Sequence, residues 1–161
     1  MRRLSSWHVA LGSLIVIAAV PVEAQQTASQ WVWFPESAPN DCIRESRWLR
    51  KSFDLPADVK SAALWLLVDD RHALWVNGVA LSEPVERRGS SCCYDLTRLL
   101  RAGRNVIAVE AFNAGGPAGV IARLLITLAN DEELVINSDE SWRAANTEQE
   151  GWNQPGFEDA E

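Results

Sequence analysis

Five carboxylates, Asp69, Asp70, Glu110, Asp139 and Glu140, are the residues that could break a bond, because glycoside hydrolysis needs two carboxyls roughly 5–10 Å apart around the scissile oxygen. Asp69 and Asp70 fall where a turn is expected, and acidic residues in turns usually cap free amides or stay solvated. His72 follows immediately but lies beside no nucleophile motif of the kind a Ser-His-Asp triad requires. The expectation is that this chain on its own is not an enzyme. The eight tryptophans suit a different chemistry: a flat apolar ring stacks on the C–H face of a sugar, while neighbouring polar groups take its hydroxyls. Trp142 is one candidate for such stacking. Against this, Trp48, Trp65 and Trp75 lie inside expected strands and read first as core or sheet surface. Trp142 reads first as a packing residue, and Asn113 as a cap of turn amides. Trp152 lies in a loop.

Those side chains must be carried by strands. Trp31–Phe34 alternates as a first strand, and Pro35–Asp41 is turn chemistry. Arg47–Phe53 is a second strand, with Trp48, Arg50 and Ser52 opposite Leu49, Lys51 and Phe53; Asp54-Leu-Pro56 ends it, since proline cannot donate to a ladder. Ala62–Val68 is apolar on both faces, as a central sandwich strand would be. Ala73–Val76 runs into Asn77-Gly78, whose tolerance of positive φ makes a type I′ hairpin. Glu83–Ser91 is a polar loop. Asp95 to Gly103 is one short helical turn, with Asp95 as N-cap, Arg98 and Arg101 at its end and Gly103 as the stop. Asn105–Phe112, Val120–Leu128 and Leu134–Ile136 complete the strands. The fold class is all-β, an antiparallel sandwich.

The first 24 residues are set apart. Arg2 and Arg3 precede an apolar run from Val9 to Val20, and Val22-Glu23-Ala24 offers a cleavage site, the pattern of a signal peptide. The apolar run is too short for the ~20 residues that span a bilayer. The expected location is therefore secreted or periplasmic, with no membrane association after cleavage. Residues 25–30 read as a flexible lead-in and 31–161 as one domain. Removing Arg2, Arg3 and Glu23 from 15 basic and 22 acidic residues leaves 13 against 21. Such an acidic surface without a basic cluster argues against nucleic acid. Among Cys42, Cys92 and Cys93, export permits a disulfide joining Cys42 to Cys92 or to Cys93, or a strained vicinal bridge; free thiols are the other reading. With His72 the one histidine after the leader and no CxxC spacing, no metal site is expected, and no cofactor is indicated.

Several fragments carry a resemblance in their order and spacing. They are Arg50-Lys-Ser-Phe-Asp-Leu-Pro56, Val68-Asp-Asp70, Leu74-Trp-Val-Asn-Gly78, Asp95-Leu-Thr97, Gly103 to Asn113, Ala118 to Leu124 and Ser138-Asp-Glu-Ser-Trp-Arg143. Together they resemble the galactose-binding-like β-sandwich of secreted glycoside hydrolases, as in the N-terminal domains of α-L-rhamnosidase-like proteins. The resemblance implies a jelly-roll fold with ligands on loops at one end of the sandwich, hence Asp70, Arg71 and Asn113 beside the small-residue loop Ala114–Gly119. It implies an exported non-catalytic carbohydrate-binding module, whose partner is a sugar or a neighbouring catalytic domain. A structural docking role and the N-terminal piece of a hydrolase are the alternatives. Related modules continue past the position of Phe157–Asp159 with a closing strand, so the domain is expected to be C-terminally incomplete. Calcium is a frequent structural ion in such folds, but no Asp-rich series here marks a site.

Overall fold

The computed structural model describes residues 28–37, 42–82 and 91–159. The expected signal peptide, the first half of the lead-in and nearly all of the polar loop 83–91 lie outside these residues. Among the described residues nine strands form: β1 (Glu45–Leu55), β2 (Val59–Asp69), β3 (Arg71–Val76), β4 (Val79–Ser82), β5 (Cys92–Asp95), β6 (Gly103–Asn113), β7 (Gly119–Leu128), β8 (Glu133–Asn137) and β9 (Arg143–Ala145). They make two antiparallel sheets, one ordered β4-β3-β6-β1-β9 and the other β5-β2-β7-β8.

Period-two alternation determines what lies between the sheets. Leu49, Leu74, Val76, Ile107 and Val109 from the first meet Leu64, Leu66, Val68, Leu124 and Ile126 from the second, all almost fully buried. Each such side chain contributes about 2 kcal/mol of hydrophobic stabilisation. β1 pairs with β6 along its whole length, from Glu45 opposite Asn113 to Leu55 opposite Gly103, and Pro56 follows directly as the expected stop.

Three elements differ from the sequence expectation. β2 is buried on one face: Ala62, Leu64, Leu66 and Val68 face the core, whereas Trp65 is 41% exposed on the outer face. Residues 31–34 contribute a single bridge, Val32 to Val120, and Trp31 packs against Gly119. A Cβ there would stand 2.6 Å from the Trp31 ring, so only glycine permits the approach. The expected helical turn is shortened to one hydrogen-bonded turn, Leu99 and Leu100 both donating to the Leu96 carbonyl, since Cys92–Asp95 is taken up as β5. Asp95 does accept from the Thr97 amide at 2.9 Å, and that contact, first through the Thr97 side chain and then its amide, holds its carboxyl below the usual range.

The Asn77-Gly78 hairpin forms as read, with φ of 51° and 83°. The cysteines give a correction: all three are free. Cys42 is buried ahead of β1, its thiol directed at the Glu45 carbonyl, while Cys92 opens β5 at the edge of the other sheet, so the Cys42–Cys92 tie is not made.

Candidate functional site

On the outer face of the five-stranded sheet, alternation along β1 projects Trp48 and Arg50 away from the core that holds Leu49. The short strand β9 lies alongside, with Ala145 opposite Trp48, Ala144 opposite Leu49 and Arg143 opposite Arg50. Alanines beside a tryptophan leave room. A groove of about 340 Å³ opens there, walled by Trp33, Trp48, Trp142 and Trp152, with Arg50, Arg143, Phe157 and Asp159 among its polar and aromatic rim.

Residues 148–159 form the roof. Trp152 packs edge-on against Trp75 at 5.4 Å between ring centres, and the Arg50 guanidinium lies over the Phe157 ring at 4.8 Å. Ala108, paired with both Arg50 and Trp75, is fully buried beneath them. Arg50 fastens the roof: Nη1 donates to Asp159 Oδ1 at 3.1 Å and the Phe157 carbonyl at 3.3 Å. Its Nη2 donates to Ser52 Oγ at 3.0 Å and the Gln154 carbonyl at 3.3 Å. Nε has no hydrogen-bond partner among the described residues. Burial pulls the guanidinium below its ordinary range and the Asp159 carboxylate opposes that.

The residues singled out from sequence divide into two places. Asp70, Arg71 and Asn113 come together where β3 starts and β6 ends. Asp70 Oδ2 accepts from the Ala114 amide at 2.7 Å, and Arg71 stacks on the Phe112 ring at 4.0 Å. Asn113 Nδ2 donates to the Cys42 carbonyl at 2.5 Å and the Gly116 carbonyl at 3.3 Å, while its Oδ1 accepts from the Gly115 amide. Asp70 and Asn113 hold loop 114–118 in shape, while Arg71 covers the Phe112 ring beside it. Trp142 stands elsewhere: Asn113 is opposite Glu45 and Arg143 opposite Arg50, five residues along β1 and so roughly 17 Å apart. Trp142 is 8% exposed and belongs to the core cluster, yet its edge lines the groove and its indole N–H donates to the Asn137 carbonyl at 3.2 Å.

The candidate catalytic carboxylates are dispersed. Glu110 accepts from Ser46 Oγ at 2.7 Å. Burial pushes the Asp139 carboxyl up, but hydrogen bonds from Ser141 and the nearby Lys51 outweigh it and hold it low. Asp159 is the one carboxylate lining the groove among the described residues, and no group of three metal-ligating acids, thiols or imidazoles occurs among them. His72 faces the interior, bonded through Nε2 to the Tyr94 hydroxyl at 2.7 Å.

Trp33, Arg143, Phe157 and Asp159 escaped the sequence reading. The Trp48-x-Arg50 face was visible as alternation, but nothing local indicates that a loop a hundred residues later covers it.

No family model matches the chain. An α-L-rhamnosidase from Streptomyces avermitilis is 35% identical over 140 residues, which is 82% of this chain and 14% of that protein. One from Formosa agariphila is 25% identical over 146 residues, 72% of this chain and 16% of the relative. The crystal structure of the Streptomyces enzyme complexed with L-rhamnose superposes with a TM-score of 0.73, covering 83% of this chain and 14% of that one. The Pleurotus ostreatus lectin in its apo form superposes at 0.70 with 30% identity, covering 81% of this chain and 38% of the lectin; a structure of that lectin in complex with GalNAc gives 0.66. The chain spans only 14–16% of the curated relatives it matches: it is a galactose-binding-like β-sandwich domain, similar over most of its length to one segment of α-L-rhamnosidases.

Proposed function

We propose that this domain is a non-catalytic carbohydrate-binding module, with its ligand seated in the groove between β1, β9 and the 148–159 roof. The observation that carries the reading is the convergence of four indole rings, two guanidinium groups and one carboxylate on a single open cleft. Indole faces take the apolar side of a pyranose; the charged rim takes its hydroxyls through hydrogen bonds worth about 1 kcal/mol net each. The likeness to rhamnosidase segments and to a lectin supports the same reading. Asp70 and Asn113 keep a second, positional role in it, because they shape a loop rather than line the cleft.

Titrating the domain with a panel of soluble plant and algal glycans while following tryptophan fluorescence tests the proposal. Saturable binding is expected, and Trp48→Ala should weaken it by about tenfold, equivalent to 1.4 kcal/mol, because Trp48 is partly exposed and not a core residue. Flat titrations across the whole panel would sink the reading.

One feature of the opposite sheet favours a second role, docking on a neighbouring catalytic domain. Its outer face presents Trp65 and Leu125, and large apolar side chains exposed together mark surfaces that other proteins cover.

A further inference from the structure

Among the described residues, the groove carries more positive charge than its own carboxylates balance. Arg50 and Arg143 stand directly opposite each other on adjacent antiparallel strands, a like-charged pair that destabilises a sheet unless something neutralises it. The sole carboxylate lining the groove among the described residues, Asp159, is bound to Arg50. Glu148, beside the groove, accepts from the Trp152 indole at 3.3 Å. Arg143 is exposed and has neither an ion pair nor a hydrogen bond among the described residues. This excess sits in a protein whose net charge is −7, so it does not reflect a generally basic surface. Beside it, the Arg50 Nε is a buried donor without an acceptor, and a buried donor left unmade is unfavourable.

From this we infer that the groove selects acidic sugars: the carboxylate of a uronic acid residue meets the Arg143 guanidinium while the pyranose rings lie on the tryptophan walls. The inference rests on the carbohydrate reading above and specifies its ligand class. A guanidinium and a carboxylate are both planar and can share two parallel hydrogen bonds, which suits a uronate better than any neutral sugar hydroxyl.

The test compares tetragalacturonate with its fully methyl-esterified form, identical in ring stereochemistry but with each carboxylate converted to a neutral methyl ester, by titration calorimetry on the whole chain. The acid should bind about tenfold more tightly than the ester, the factor expected for one charge-assisted contact partly open to water. Added salt should narrow the gap by screening. Arg143→Gln should bring the acid down to the affinity of the ester, with an unchanged circular-dichroism spectrum to show that the fold is kept. Equal binding of acid and ester overturns the acidic preference and leaves the carbohydrate reading standing. A preference that survives Arg143→Gln overturns the assignment to Arg143. Failure of both compounds while neutral glycans bind overturns this inference alone; failure of every glycan overturns the parent reading.

Discussion

Arg47 and Arg50 lie three residues apart on β1, on opposite faces of the sheet, and both are almost fully buried. Burying a guanidinium is tolerable only where its donors are met. Arg47 meets Glu36 twice, Nε to Oε1 at 2.6 Å and Nη2 to Oε2 at 3.0 Å, and reaches Glu45 and the Ser46 carbonyl with Nη1. The Arg47 guanidinium in turn holds the Glu36 carboxyl below its usual range and is itself raised by that partner. This pair straps the segment around Trp33, one wall of the groove, onto the sheet. Because the folded pKa of Glu36 is depressed, its stabilisation is complete above the ordinary value of 4.5 and is lost as pH falls through the lower folded value. Glu36→Gln should cost about 2 kcal/mol at neutral pH, the range for a hydrogen bond to a charged group. The same variant should lose less than the wild type on acidification. Urea denaturation at several pH values measures both, and a Glu36→Gln variant that tracks the wild type at all of them would contradict the strapping role.

At the scale of elements, the turn between β3 and β4 is tied to the entry of β6 by two asparagines. Asn77 donates through Nδ2 to the Leu99 carbonyl at 2.8 Å and to Asn105 Oδ1 at 2.9 Å, and accepts the Val106 amide. Asn105, fully buried, donates to the Arg101 and Gly103 carbonyls and accepts from the Arg101 amide. Removing its amide takes the partners from the Arg101 amide, the Arg101 and Gly103 carbonyls and Asn77 Nδ2 at once, so Asn105→Ala should destabilise the domain by about 3 kcal/mol, several times an ordinary surface change; a thermal melt within a degree or two of the wild type would refute this. The hairpin was legible because Asn-Gly is a local signal, and so were the long strands β1, β6 and β7, whose alternation is written in neighbouring residues; β2 was legible as a strand but not as a one-sided one, because its outer positions Ala63, Trp65 and Leu67 are apolar too. β5 and β9 were not legible: Cys92–Asp95 and Arg143–Ala145 are too short to alternate, and only their partners Ala63–Leu66 and Trp48–Arg50 define them as strands. The site was legible only in part for the same reason. Tryptophan content announced stacking chemistry, but the cleft is made by a nonlocal event, residues 148–159 folding onto Trp75 and Arg50. The resemblance implies that the loop trio Asp70, Arg71 and Asn113 faces a ligand, whereas here Asp70 and Asn113 meet backbone groups of the adjoining loop and Arg71 stacks on Phe112.

At the scale of the whole molecule, two sheets facing each other over an aliphatic interior include one polar bridge. His72 projects inward from β3 of the five-stranded sheet and is hydrogen-bonded to Tyr94 on β5 of the four-stranded sheet, with the rings edge to face at 6.1 Å. Burial disfavours the charged imidazole and pulls its pKa below the ordinary 6.5. The unfolded chain therefore binds a proton that the folded one refuses, so stability rises with pH in the interval between the folded and unfolded values. The contribution is intact above pH 6.5, begins to fail as pH drops below it, and is gone once the folded-state value is passed. That loss sets in at 6.5, above the 4.5 at which the Glu36 loss sets in, so the onsets of the two are separable in a stability profile. Two variants distinguish burial from bonding. Tyr94→Phe removes the hydrogen bond but leaves His72 enclosed; it should lower stability by about 1 kcal/mol at neutral pH while retaining the decline below 6.5. His72→Phe removes the titrating group, so its profile should be flatter than the wild type from 6.5 downward until the carboxylates begin to protonate. Chemical denaturation across that range decides the matter: a His72→Phe curve running parallel to the wild type would mean that the imidazole is solvated, and that the two sheets are held by their aliphatic faces alone at this point.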